Sequence, residues 1–372
     1  MGSGIAQVAA NAGHKVVVYD SNRAALDKAQ KSLAATLQKL QEKGKLASAE
    51  EVMGRFSFAE SVEEFAGCGL IIEAIVERLD VKQSVFAAVE KAVGEDCVLA
   101  SNTSSLSITS IAAACQHPSR VLGLHFFNPA PLMALVEVIP AIQTNSELIP
   151  GAKKLMEQWG KTAVIAKDTP GFIVNRVARP FYGEALRIYE EGMADMATID
   201  WAMTEIGGFK MGPFTLMDYI GHDVNYVVTD TVFQSFFYDP RYKPAFAQKR
   251  LLEAGWLGRK SGRGFYNYVE GAAMPQPTKD EVLGTQICER VLAMLINEAA
   301  EALYLNIASA ADLETAMTRG VNYPKGLLAW CDEWGADKCL EMLDGLYNEY
   351  HEDRYRASVL LRKQARGNKK FV

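Results

Sequence analysis

Short apolar runs alternate with amphipathic stretches through the first 168 residues, and then the alternation stops. The runs at 16–20, 56–58, 70–74, 97–101, 121–126, 135–139 and 162–166 are brief and bounded by turn or charged residues, and they predict strands. Between them, apolar residues recur at helical spacing over 1–11, 23–44, 47–55, 81–93, 108–115 and 151–159. Strands and helices alternating at these lengths predict an α/β doubly wound, Rossmann-like sheet. The pattern changes at Asp168-Thr169-Pro170-Gly171, and everything long from there to about residue 268 reads as helix.

A polar, proline-bearing linker, roughly 270–281, leads into a last helical segment that repeats the one before it. Arg176-Val177 recurs as Arg290-Val291, Glu184-Ala185 as Glu298-Ala299 and Ala202-Met203 as Ala316-Met317, each 114 positions on (290 − 176). Gly212, Asp218 and Gly221 recur in the same register as Gly326, Asp332 and Gly335. One register held over so many identities predicts two copies of one all-α domain. The expected domains are therefore 1–168, 169–269 and a second, degenerate helical copy over 282–372.

Composition narrows the function classes. The chain has 372 residues, 49% hydrophobic and 23% charged, with a net charge of −6 and a pI near 5.6. Nothing in that balance favours a nucleic-acid backbone or an anionic membrane surface. The six cysteines form no CxxC and no dense framework, so buried reduced thiols in a cytoplasmic protein are expected rather than disulfides or zinc. No metal-ligand spacing and no run long enough to span a bilayer is present.

The amino terminus reads as the second half of a dinucleotide-binding unit. A helix opening on glycines is followed by a turn at Gly13-His14 and a short strand closing on Asp20. In the G-x-G-x-x-G fingerprint Gly2 takes the place of the third glycine and Asp20 that of the acid for the ribose hydroxyls. The first strand and the first two glycines, which let a pyrophosphate approach the helix, are missing from the sequence. The expectation is that Met1 is an internal methionine and that the native chain begins about ten residues earlier.

The chemistry concentrates in Gly123-Leu124-His125-Phe126-Phe127-Asn128-Pro129 and in Leu135-Val136-Glu137-Val138. A carboxylate between two valines in a buried strand needs a partner, and His125 is the candidate. Such a pair serves equally as a satisfied core histidine or as a general base with a fixed tautomer. Ligands bind past the C-terminal strand ends of a doubly wound sheet, where Glu77, Ser104, His125 and Asn128 are expected to fall. Within Ser101-Asn102-Thr103-Ser104-Ser105 one hydroxyl can cap a helix while another faces a ligand. Asn175 is matched in the second copy by Glu289 although the flanking Arg-Val is kept, a difference where function would sit in one copy only.

Taken together, these motifs resemble the 3-hydroxyacyl-CoA dehydrogenase family. The resemblance is carried by the stretches just quoted, by Asp168 to Arg176 (DTPGFIVNR), by Gly212-Pro213 and by Gly258 to Tyr266 (GRKSGRGFY). It covers nearly the whole chain. The duplicated helical domain, with Gly320-Val321-Asn322-Tyr323-Pro324, resembles most the branch acting on 3-hydroxyadipyl-CoA in phenylacetate breakdown, although the linker between the copies is short for that branch. The resemblance implies NAD-dependent oxidation of a (3S)-3-hydroxyacyl-CoA to the 3-oxoacyl-CoA. It implies that His125 is the base, Glu137 its orienter, and Ser104 and Asn175 the groups holding the reacting end of the substrate. Gly2, Asp20, Glu77, Lys82, Ser104, Asn128 and Lys260 are implied at the dinucleotide, and Thr36 and Lys43 at coenzyme A.

Charge adds two expectations. Asp20 can accept from two ribose hydroxyls but repels a 2′-phosphate, which favours NAD over NADP, with Arg23 nearby as the opposing influence. Arg179, four residues after Asn175, lies one turn on and can serve either the terminal carboxylate of a dicarboxylic acyl chain or a salt bridge. The rival substrates are 3-hydroxybutyryl-CoA and other aliphatic thioesters. The rival of another class is an inactive acyl-CoA-binding protein lacking the phosphate loop. The helical copies are expected to pack on each other, giving a monomer or a homodimer through the helical domains.

Overall fold

All seven strands lie where the apolar runs place them, in the first of two compact units, Met1–Asp168 and Thr169–Val372, of a computed structural model describing residues 1–372. In the first unit the helix Gly2–Asn11 (α1) leads to Val16–Val18 (β1), then to Arg23–Glu42 (α2), Ala49–Met53 (α3) and Phe56–Phe58 (β2). Leu70–Glu73 (β3), Leu79–Ala92 (α4), Val98–Ser101 (β4) and Ile108–Ala112 (α5) follow. Val121–Phe126 (β5), Leu135–Pro140 (β6), Leu148–Gln158 (α6) and Thr162–Ile165 (β7) complete it. The strands form a parallel pair, β1–β2, and a five-stranded sheet ordered β3-β4-β5-β6-β7.

One step of the five-stranded sheet is antiparallel, β5 against β6. The connecting residues 127–134 hold no helix, so the chain cannot make a crossover and must return as a hairpin. Both strands are buried on both faces over Val121–Phe126 and Leu135–Ile139, and Leu122, Leu124, Val136, Val138 and Met156 form the core there. By contrast α2 buries only Leu26, Leu33 and Leu37, leaving its other face to solvent. Three predicted helices differ most in extent. Those at 47–55 and 108–115 shorten to five residues each, capped by Ser48 and Ser107. The third begins three residues earlier than 151, because Pro150 in a first turn removes only an N–H that would be unpaired anyway.

The second unit is all helix. Val174–Val177 (α7), Arg179–Glu190 (α8), Met196–Trp201 (α9), Pro213–Ile220 (α10), His222–Ser235 (α11) and Phe246–Glu253 (α12) make the first set. Glu281–Tyr304 (α13), Ala310–Gly320 (α14), Leu327–Trp334 (α15), Ala336–Tyr350 (α16) and Val359–Gly367 (α17) make the second. The two sets repeat one another down to their caps. Asp200 accepts from Phe214 N and Thr215 N, each at 2.8 Å, and Glu314 from Leu328 N and Ala329 N at 2.9 and 3.1 Å. Gly212 and Gly326 leave the room these carboxylates occupy, since a Cβ at either would collide with the cap.

The sets face each other through reciprocal ion pairs. Arg176 Nε donates to Glu298 at 2.6 Å, and Arg290 Nε donates to Glu184 at 2.7 Å. Tyr242 and Tyr355 add hydroxyl donors to the same two carboxylates, at 2.5 and 2.7 Å. The α13 helix, buried on most of its circumference, is the element on which this packing centres.

Candidate active site

The hairpin register sets the first feature. His125 and Glu137 lie directly opposite each other on β5 and β6, and His125 Nδ1 is 2.6 Å from Glu137 Oε2. Glu137 is fully buried and His125 is 5% exposed, with the Phe127 ring tilted against it at a 4.5 Å centroid distance. A carboxylate on Nδ1 holds that nitrogen's proton and places the basic lone pair on Nε2. His125 is inside the strand, one residue before its end, rather than past it as expected. Hairpin pairing requires this, because only a strand residue has a cross-strand neighbour in register.

A second cluster forms where β3 and β4 end. Glu77 Oε1 accepts from Thr103 Oγ1 at 2.5 Å, from Ser104 N at 2.9 Å and from Ser105 N and Oγ at 3.1 Å. Burial alone would raise the Glu77 pKa, but the Thr103 hydroxyl and the Lys82 charge outweigh it and hold the carboxyl below its ordinary value. Glu77 is thus an anion that fixes the loop carrying Ser104. Lys82 is 1% exposed and bridges Glu73 at 2.6 Å and Glu77 at 3.3 Å. Its ammonium is held between these two carboxylates at the strand ends.

Several members of the network escaped sequence reasoning. Glu73 also accepts from Ser101 Oγ at 2.7 Å and from Ile75 N at 2.6 Å. Asn102 Oδ1 accepts from Phe126 N at 2.8 Å, tying the Ser104 loop to the strand that carries His125. Asp168 accepts from Ile108 N and Thr109 N at 3.0 and 2.7 Å, capping α5. A signal was present for Glu73, an acid closing an apolar run; Asn102 and Asp168 depend on tertiary partners that spacing does not show.

The other dinucleotide candidates of the first unit lie on different elements. Asp20 is exposed just past β1 and lines a cleft of about 360 Å³ with Tyr19, Ser21, Arg23, Ala59 and Glu60. Arg23 is paired with Glu60 at 2.9 Å and Asp27 at 3.2 Å, so its charge is already engaged. An exposed carboxylate beside a cleft with no uncommitted cation fits a ribose diol and not a 2′-phosphate. Gly2 opens α1, but Gly4 is the glycine in close packing, its Cβ position 3.2 Å from Pro131 Cδ. Asn128 is exposed in the hairpin connection. Thr36, on α2, and Lys43, the residue that caps its C-terminus, are both exposed.

The remaining candidates belong to the helical unit. Asn175 is half-buried in α7, and its counterpart Glu289 pairs instead with Lys338 at 2.6 Å. Lys260 pairs with Asp223 at 2.6 Å, and Arg179 is buried beside Thr229.

Comparison with known proteins decides the family. Residues 1–169 match "3-hydroxyacyl-CoA dehydrogenase, NAD binding domain", and residues 171–268 and 287–370 match "3-hydroxyacyl-CoA dehydrogenase, C-terminal domain". The chain belongs to the 3-hydroxyacyl-CoA dehydrogenase family. It is similar to the 3-hydroxyadipyl-CoA dehydrogenase of Escherichia coli K12, with 36% identity over 98% of this chain and 95% of that one. It is 42% identical to a probable 3-hydroxybutyryl-CoA dehydrogenase of Deinococcus radiodurans, over 72% of this chain and 96% of the relative. The crystal structure of an E. coli 3-hydroxybutyryl-CoA dehydrogenase superposes with a TM-score of 0.93 at 36% identity, covering 99% of this chain and 97% of that one. This dehydrogenase is therefore an NAD-dependent oxidoreductase of 3-hydroxyacyl-CoA, and the reading as an inactive acyl-CoA-binding protein is set aside. No helix is long and apolar enough to cross a membrane.

Proposed function

We propose that the physiological reaction is oxidation of (3S)-3-hydroxyadipyl-CoA to the 3-oxoacyl-CoA, as phenylacetate catabolism requires. The observation that carries the chemistry is the buried His125–Glu137 pair at 2.6 Å. His125 Nε2 takes the 3-hydroxyl proton as C3 is oxidised, and Glu137 stabilises the imidazolium that results. Ser104, on the loop held by Glu77, and Asn175 hydrogen-bond the reacting oxygen and the thioester end. NAD supplies the hydride acceptor when bound. Asp20 holds its ribose; Gly2, Glu77, Asn128 and Lys260 contribute the remaining contacts, with Lys82 acting through Glu77. The exposed C-terminal part of α2, with Thr36 and Lys39, and Lys43 at its cap receive the phosphorylated end of coenzyme A.

The choice of acyl group is supported by the E. coli 3-hydroxyadipyl-CoA dehydrogenase, which is matched across both helical copies at 36% identity. A second reading, 3-hydroxybutyryl-CoA, is favoured by the 42% identity to the Deinococcus relative. The six free cysteines, four of them buried, fit a reducing compartment such as the cytoplasm. NADH formation from 3-hydroxyadipyl-CoA, 3-hydroxyhexanoyl-CoA and 3-hydroxybutyryl-CoA tests the proposal. The adipyl thioester is expected to give the highest kcat/KM, and a clear preference for the butyryl thioester would replace it with the second reading.

A further inference from the structure

Arg179 carries a buried charge with no counter-ion. It opens α8, is 7% exposed, and pairs with no carboxylate of its unit. Its Nη1 donates to Thr229 Oγ1 at 3.0 Å, and the guanidinium lies 4.9 Å over the Tyr182 ring. Its Nε is buried without an acceptor. The hydroxyl of Tyr323, from the second helical copy, is also buried and unpaired. Tyr323 packs against Phe181 and Phe209 at 5.8 and 4.9 Å, and it is near enough to Arg179 to interact electrostatically. Burial pulls the Arg179 pKa below its ordinary value, so the site as it stands disfavours its own charge.

The internal repeat shows that the fold does not need this cluster. In the register of 114 (293 − 179), Arg179, Tyr182 and Thr229 are matched by Ala293, Ile296 and Leu343, and Tyr323 matches Phe209. Those four counterparts are apolar and buried. Equivalent packing is thus achieved without a polar group on one side of the pseudo-dyad, whereas the other side keeps a cation and a hydroxyl with unmet donors. Groups left in that condition are costly unless a ligand satisfies them.

We propose that Arg179 and the Tyr323 hydroxyl receive the terminal carboxylate of a dicarboxylic acyl chain, so that the second helical copy takes part in selecting the substrate. The inference rests on the reaction proposed above and on Asn175 holding the reacting end. Ala178, between α7 and α8, keeps helical torsions (φ −82°, ψ −9°), so the rise from Asn175 to Arg179 continues almost as in one helix. Four residues rise about 6 Å. An extended C3-to-C6 span of three bonds, each about 1.5 Å, covers roughly 4 Å, and the arginine side chain bridges the remainder. A methyl-terminated chain leaves both donors unmet and is rejected on that account.

The test compares 3-hydroxyadipyl-CoA with 3-hydroxyhexanoyl-CoA, which differ only in a carboxylate against a methyl at C6, by NADH formation with the full chain. The wild type is expected to favour the adipyl thioester. Arg179→Met should cut the ratio of the two kcat/KM values by about 10- to 100-fold, mainly through KM for the adipyl thioester, with Arg179→Lys recovering part. Tyr323→Phe, which removes a single unpaired oxygen, should cut the same ratio by about 3- to 10-fold. A wild-type ratio near one, or variants that slow both thioesters by the same factor, would overturn the chain-end role while leaving the dehydrogenase reading intact. No NADH from either thioester would remove the proposed reaction and this inference with it.

Discussion

In the proposed reaction His125 is the base, and Glu137, 2.6 Å from its Nδ1, fixes the tautomer and answers the charge the ring gains. His125→Gln keeps a hydrogen-bonding side chain but cannot take the proton, so kcat is expected to fall about 10²- to 10⁴-fold. Glu137→Gln keeps the hydrogen bond to Nδ1 and removes the charge, and an intermediate loss in kcat with little change in KM is expected. Steady-state kinetics of both variants decides this; a Glu137→Gln enzyme as fast as wild type would remove the orienting role. Asp20 gives a second prediction at this scale. Its carboxylate stands exposed in the cleft while Arg23 is engaged by Glu60 and Asp27. NAD should therefore outperform NADP, and Asp20→Ser should narrow the gap by about 10-fold or more. Faster turnover of the wild type with NADP would contradict it.

Among the elements, the pairing of α8 with α13 depends on protonation. Glu184 is buried, which by itself raises its pKa, but Arg187, Arg290 and the Tyr355 hydroxyl outweigh burial and hold it below the ordinary glutamate value. Because the folded carboxyl binds its proton less tightly than the unfolded one, its stabilisation is complete above the unfolded pKa of about 4.3 and is lost as pH falls through the lower folded value. Urea midpoints of wild type and Glu184→Gln should differ at pH 7 and converge toward pH 3; a gap that widens in acid would reverse the sign. The ordering of strands and helices was legible because the strands are short, bounded apolar runs and the helices carry apolar residues at helical spacing. The hairpin that joins β5 to β6 was not read, although a connection too short for a crossover was in plain view. The environment of Arg179 was out of reach, because Tyr323 lies in the other copy and no local pattern connects them.

At the scale of the whole molecule, the repeat changes what the helical unit needs from a neighbour. Arg176–Glu298 and Arg290–Glu184 are the same contact made twice, once in each direction, as in an isologous interface between two subunits. Here both halves belong to one chain, and α13, buried on most of its circumference, carries Arg290 and Glu298 of the two pairs. The self-complementary face is consumed internally, so light scattering of the purified chain should give a mass near 40.8 kDa rather than twice that. Removing one side of a pair leaves the other charge buried, so Glu298→Gln should cost about 3–5 kcal/mol of unfolding free energy, with Glu184→Gln costing a similar amount at pH 7. The near-equality of those two costs is the discriminating measurement, because it follows from the internal symmetry and not from burial alone. A dimer that dissociates when either glutamate is replaced would show that these faces still bind a second copy of the chain.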